Sequence, residues 1–221
     1  MKRMLSLYPY IAPAILAPLS GWLWYRESGH DLQITLMAWL LPILWAYILP
    51  GVGTNVLKLW EFDTRFKLGR FRPHHGFVFG SATSMLAWLV HTNPATSVTD
   101  ALQYAFILAG VLGFWNILYE ILAIEAGILK VYNQPWADGK GAEAIALDYS
   151  PWTFGGFGAA YGFALALSEW WLHTIPLSWP LFGLWFTASL AFSIALPVWG
   201  FTRRSLARHG HKGTQPVEKQ C

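Results

Sequence analysis

The chain has 221 residues, 55% of them hydrophobic and 12% charged, with a formal net charge of +3. The basic excess flanks long apolar windows, so it fits anionic lipid headgroups and argues against a nucleic-acid partner. The sole cysteine, Cys221, excludes an intrachain disulfide, a cysteine-based zinc site and a Cys-ligated iron–sulfur cluster, and leaves the identity of any cofactor unknown.

A membrane-crossing helix needs roughly 20 predominantly apolar residues. Six windows meet that need, near residues 7–25, 32–50, 73–92, 101–123, 151–172 and 179–201. They are continuously apolar rather than alternating, which points to an all-α integral membrane protein, a bundle of about six transmembrane helices, and not to a barrel. Residues 1–202 are expected to form one polytopic domain, and the polar, Gly- and Pro-containing stretch 203–221 a disordered cytoplasmic tail.

Lys2 and Arg3 precede the first window. Pro9, Pro13 and Pro18 interrupt its apolar run, which argues against a cleavable signal peptide. Further basic residues fill alternate connections: Lys58, Arg65, Lys67, Arg70 and Arg72, then Lys130 and Lys140, then Arg203, Arg204, Arg208, Lys212 and Lys219. The remaining connections hold only Arg26. The positive-inside rule therefore predicts both termini in the cytoplasm, as in a bacterial inner membrane.

The connection between the second and third windows carries Glu61 and Asp63, and then His74 and His75 where the third window begins. Carboxylates and imidazoles at a bilayer surface suit proton exchange with a bound lipid, although a solvated basic loop accounts for them equally well.

The fourth window holds the most informative residues, Asn116 and Glu120, four apart and so on one helix face. An ionisable group at membrane depth is costly and marks a functional site by default. Glu120 is the candidate general acid or proton reservoir, and Asn116 the candidate group that orients it. The order of amide, aromatic ring and acid in Asn116-Ile-Leu-Tyr-Glu120 resembles that of integral-membrane terpene cyclases, a likeness confined to these five residues. Motifs of CDP-alcohol phosphotransferases, membrane prenyltransferases and histidine-box desaturases are absent.

After a long connection, Asp148-Tyr149-Ser150-Pro151 reads as a helix start, with Ser150 as N-cap and Pro151 at the first helical position. Gly158 and Gly162 form a small-xxx-small face for close helix packing. On the opposite side of the membrane, His30, His91, Glu169 and His173 form a candidate divalent-metal set. The 14 tryptophans supply an interfacial belt, in which Trp24 is placed, and deeper indoles such as Trp45 and Trp115 suited to an apolar pocket.

The reading that follows is a membrane enzyme acting on a hydrophobic lipid or isoprenoid substrate by acid/base chemistry, through isomerisation, hydration or cyclisation near the cytoplasmic face. Glu120, Asn116, Asp63, His74, His75 and Glu61 are its candidate catalytic residues. A proton- or cation-coupled transporter is the alternative, weakened by the absence of an inverted repeat. A non-catalytic subunit binding a pigment or a partner helix is the third.

Overall fold

The computed structural model describes residues 2–175 and 177–219, and these are mainly helical. Cys221 lies outside them. Helix α1 (Lys2–Glu27) runs through its three prolines without a break. The Asp31 carboxylate caps α2 (Leu32–Gly51), accepting from the backbone N–H groups of Gln33 and Ile34 at 2.7 and 3.1 Å. Pro50 has no N–H to continue the α ladder, and α2 passes into a π-helical turn at Val52–Val56.

A three-residue strand β1 (Trp60–Phe62) precedes α3 (His75–Val90). Helix α4 (Val98–Glu125) starts at the Ser97 cap. Strand β2 (Leu129–Val131) pairs antiparallel with β1, placing Trp60 opposite Val131 and Phe62 opposite Leu129. This short ribbon ties the α2–α3 connection to the far end of α4. Two short helices follow, α5 (Gln134–Ala137) and α6 (Ala142–Ser150), and then the long helices α7 (Phe157–Thr174) and α8 (Trp179–His209).

The helix start expected at Ser150 does not occur. Ser150 has helical backbone angles and makes no side-chain cap, and α6 runs into α7 through a π-helical turn at Pro151–Gly156. A proline in the first turn after a helical segment costs one backbone hydrogen bond, and a π turn absorbs the offset. A disordered tail is expected from Arg203, yet α8 continues to His209. Beyond it, the Val217 N–H donates to the Tyr132 carbonyl at 2.9 Å and Lys219 sits 4.9 Å from the centre of the Trp136 ring.

Helices α4 and α7 form the most extensive interhelical interface. A Cβ on Gly158 would lie 2.8 Å from the Leu108 carbonyl carbon, and one on Gly162 would lie 3.1 Å from the Ala105 Cα. Only glycine admits backbones this close, which is the use expected of the small-residue face. The main core joins Met37, Leu41, Trp45, Leu108, Phe157, Tyr161 and Leu165. Trp24 belongs to that core and not to an interfacial belt: it is fully buried, and its indole N–H donates to the Ser84 carbonyl at 3.0 Å. A second core under the ribbon gathers Phe62, Phe71, Ile128, Leu129 and Ile145.

Three helical stretches, Leu32–Val56, α4 and α8, are long and apolar enough to cross a membrane. Their outward faces carry Phe106, Trp115, Leu184 and Trp199, all well exposed. Large apolar side chains left uncovered over so much surface are at home against lipid tails rather than water. The chain is a helical protein with the properties of a membrane protein.

Candidate functional site

Glu120 is 4% exposed on the last turns of α4. Its carboxylate accepts a hydrogen bond from the Tyr149 hydroxyl of α6, and the two residues line one cavity together with His75 of α3. The rings of Trp45, Trp60, Phe62, Phe79 and Phe154 form half of the remaining wall, and Ala46, Leu49, Pro50, Leu129 and Thr153 the other half. The cavity measures ≈ 40 Å³, which is room for water or a small part of a substrate. A protonatable acid, a phenol and an imidazole thus share one small, ring-lined chamber.

His75 is held by rings on three sides, with centroids of Phe62, Phe71 and Phe79 at 4.7, 5.5 and 4.6 Å. Its Nδ1 is buried without a hydrogen-bond partner. An imidazole nitrogen without a protein partner at the wall of a cavity has its proton or lone pair left for exchange. Trp45 stacks on Phe157 at 3.9 Å and donates its indole N–H to the Ser193 carbonyl at 2.9 Å, so this part of the wall is rigid. Burial, reinforced by the Glu120 carboxylate, pushes the Tyr149 hydroxyl well above the ordinary phenol range, and it therefore serves as donor.

A second cavity of ≈ 100 Å³ adjoins the first and shares Leu49, Trp60, Tyr149 and Thr153 with it. Residues of the returning chain end, among them Gly213 and Val217, close its far wall. On the other side, Phe79 is shared with an open groove of ≈ 320 Å³ between α1, α3 and α4, lined by Tyr8, Leu16, Met85, Trp115, Asn116 and Tyr119. The chamber therefore has an apolar extension on one side and a groove reaching the outer face of the bundle on the other.

The chain matches no family model, no curated protein and no solved structure. The arrangement of the side chains has to carry the functional argument alone.

Of the six candidate catalytic residues, Glu120 and His75 come together. Asn116 does not orient Glu120: its side-chain amide donates to the Leu112 carbonyl of its own helix at 2.8 Å and faces the groove. Residues four apart share a face in broad terms, but a short amide is satisfied more cheaply by the preceding turn. Glu61 pairs with Lys130 across the ribbon at 3.4 Å, and a hydrogen bond from Tyr132, with help from Lys130, holds its carboxyl below the usual range. Asp63 is exposed. His74 lies 5.3 Å from Tyr10, ring to ring, outside the chamber.

Of the four residues considered for a metal, His91 and Glu169 meet, and His30 and His173 pack or face elsewhere. His91 meets Glu169 at 2.8 Å, off the direction of the ring N–H, and Glu27 at 3.4 Å. His30 packs edge-on against Tyr25, and His173 is exposed. Among the described residues no group of three or more His, Cys, Asp or Glu side chains is arranged to hold a metal ion.

Tyr149 is the participant that sequence reasoning missed. Its neighbours Asp148, Ser150 and Pro151 suggest helix capping, and nothing in the local pattern points 29 residues back to Glu120. The available signal is chemical: a buried carboxyl needs a donor, and a tyrosine beside a helix junction can supply one.

Proposed function

We propose that the protein is a multi-pass membrane enzyme that acts on a hydrophobic lipid or isoprenoid substrate by acid/base chemistry, with Glu120, Tyr149 and His75 as its reacting groups. The observation that carries this reading is the shared chamber. A buried acid, the phenol bonded to it and an imidazole with an open nitrogen line one aromatic cavity at the end of a lipid-compatible bundle.

In this reading six helices cross the membrane, both termini lie on the cytoplasmic side of a bacterial inner membrane, and the chamber sits near that face. Support comes from the three helical stretches long and apolar enough to span, from the shorter apolar helix α3, and from the basic residues at one set of connections. The substrate enters sideways from the bilayer through the groove beside Asn116 and passes the Phe79 ring. Its apolar chain extends into the adjoining cavity behind Tyr149.

The chemistry balances as a proton relay. The Glu120 carboxyl gives its proton to one carbon of an alkene, the π electrons form the new C–H bond, and positive charge appears on the neighbouring carbon. The faces of Trp45, Phe62 and Phe79 stabilise that charge, as aromatic rings stabilise cations in desolvated sites. A proton lost from an adjacent carbon to His75 Nδ1 gives an isomerised product, or a cyclised one where a second double bond of the substrate first attacks the cation; capture by water, with the oxonium proton passing to His75 Nδ1, gives an alcohol. Tyr149 holds the Glu120 carboxylate once its proton has gone.

The test is gentle purification from the native membrane, followed by mass spectrometry of co-purifying molecules for the wild type and for Glu120→Gln. The expected result is an enriched lipid or isoprenoid that is chemically altered by the wild type and accumulates unreacted in the variant. Identical extracts from both, or no enriched molecule in either, would overturn the reading.

A further inference from the structure

Arg72 is the only buried arginine or lysine among the described residues, at 2% exposure. A guanidinium withdrawn from water needs an anion or a full set of acceptors to compensate it. Among the described residues no carboxylate lies within 4.0 Å of Arg72, and its Nη1 is buried without a hydrogen-bond partner. The Phe62 ring, 5.3 Å from the guanidinium carbon, offers a cation–π contact that offsets only part of the desolvation cost.

Two further side chains carry polar atoms in the same condition. The Tyr119 hydroxyl and His74 Nε2 are buried and unpartnered. Arg72 packs on Phe62 and Tyr119 on Phe79, with the ring centroids of Tyr119 and Phe79 5.3 Å apart, and both phenyl rings pack on His75, the chain neighbour of His74. His74 is the N-cap residue of α3 and makes no side-chain cap, so the positive end of that helix adds to the same region. Three unpartnered polar side chains, one of them a permanent cation, thus flank the His75 ring cluster at the chamber wall.

We infer that Arg72, with the Tyr119 hydroxyl and the His74 imidazole, forms a binding site for a phosphate group. A phosphate supplies several acceptor oxygens and fits the planar fork of a guanidinium, so one ligand answers all three side chains. Its source is either the headgroup of an amphipathic lipid or the free ion. The inference deepens the proposed function by naming the substrate as a phosphate-bearing amphiphile, with its polar end at Arg72 and its apolar part in the chamber.

The experiment is thermal unfolding of the full chain in a neutral detergent, with inorganic phosphate, with phosphatidic acid, and with diacylglycerol as the lipid lacking phosphate. Wild type is expected to gain on the order of 5 °C at about a hundredfold excess of ligand over its dissociation constant. A gain with inorganic phosphate alone identifies the free ion as sufficient. A gain only with phosphatidic acid identifies a lipid headgroup. Arg72→Met should unfold at or above the ligand-free wild-type temperature, because it removes an uncompensated buried charge, and should lose the ligand-dependent gain. Arg72→Lys, which keeps the charge without the fork, should retain a reduced gain and serves if the methionine variant does not fold.

Glu120→Gln should keep the full gain while losing turnover, which separates failure of this site from failure of the catalytic reading. Absence of a gain with either phosphate compound in the wild type overturns the inference. So does an equal gain in Arg72→Met, or an equal gain with diacylglycerol.

Discussion

The Tyr149 hydroxyl donates to the Glu120 carboxylate across 29 residues of sequence, joining α6 to the end of α4 inside the aromatic chamber. A hydrogen bond to a charged acceptor contributes about 1.5–3 kcal/mol. If it stabilises the carboxylate that forms when Glu120 gives up its proton, Tyr149→Phe should lower turnover by a factor of roughly 10–100. Unchanged turnover with the purified lipid substrate would remove Tyr149 from the mechanism.

Glu120 is tested by a pair of substitutions. Glutamine keeps the shape and accepts the Tyr149 hydrogen bond but carries no transferable proton, whereas alanine also leaves the tyrosine unpaired. Both should reduce turnover by about 100-fold or more, as general-acid groups do. Glu120→Ala should in addition unfold at a lower temperature than Glu120→Gln, since an orphaned buried donor has its own cost. A fully active Glu120→Gln would falsify the proton-donor role.

Much of the fold is legible in residue order because length and apolarity are local properties. The windows near 32–50 and 101–123 correspond closely to Leu32–Gly51 and Val98–Glu125, and Gly158 and Gly162 pack as their spacing suggests. The site is less legible because its partners meet through the fold. Nothing near His75 announces Glu120, and Asn116, favoured by its spacing, turns back to its own helix. The β1–β2 ribbon escapes notice because three-residue strands have no readable period.

The α4–α7 interface makes a prediction with an internal control. A methyl group on Gly158 would press on the backbone of α4, which cannot rotate away as a side chain does. Gly158→Ala should destabilise by about 1–3 kcal/mol, the usual range for overpacking. Gly110, on α4, has open space where its Cβ would stand, and Gly110→Ala should stabilise by about 0.5–1 kcal/mol through helix propensity. Unfolding temperatures in one detergent compare the two. Equal effects would mean that α4 and α7 are not held this closely.

His91 caps α3 beyond its last turn, between Glu169 of α7 and Glu27 of α1. Removing the imidazole leaves the buried Glu169 carboxylate with only the Ala95 N–H as a donor among the described residues and should cost about 1–3 kcal/mol. His91→Ala should therefore unfold at a lower temperature than the wild type, and adding Glu169→Gln should recover most of that loss. Strictly additive losses in the double variant would show that the imidazole does not tie α3 to α7.

Asp148 anchors the chain end. Its buried carboxylate contacts His209 Nε2 at 2.8 Å, the Asn133 amide at 3.2 Å and, more distantly, Arg208 at 4.0 Å. Removing one partner of a buried charge leaves the other uncompensated, whereas removing both can be nearly neutral. His209→Ala should therefore cost about 1–3 kcal/mol and expose residues 210–219 to protease. Asp148→Asn in the same chain should recover most of that loss, because the amide keeps the Asn133 contact without a buried charge. Strictly additive costs in this double-mutant cycle would show that the two side chains do not interact, and that the chain end is held instead by Val217 and Lys219 on the Tyr132–Trp136 segment.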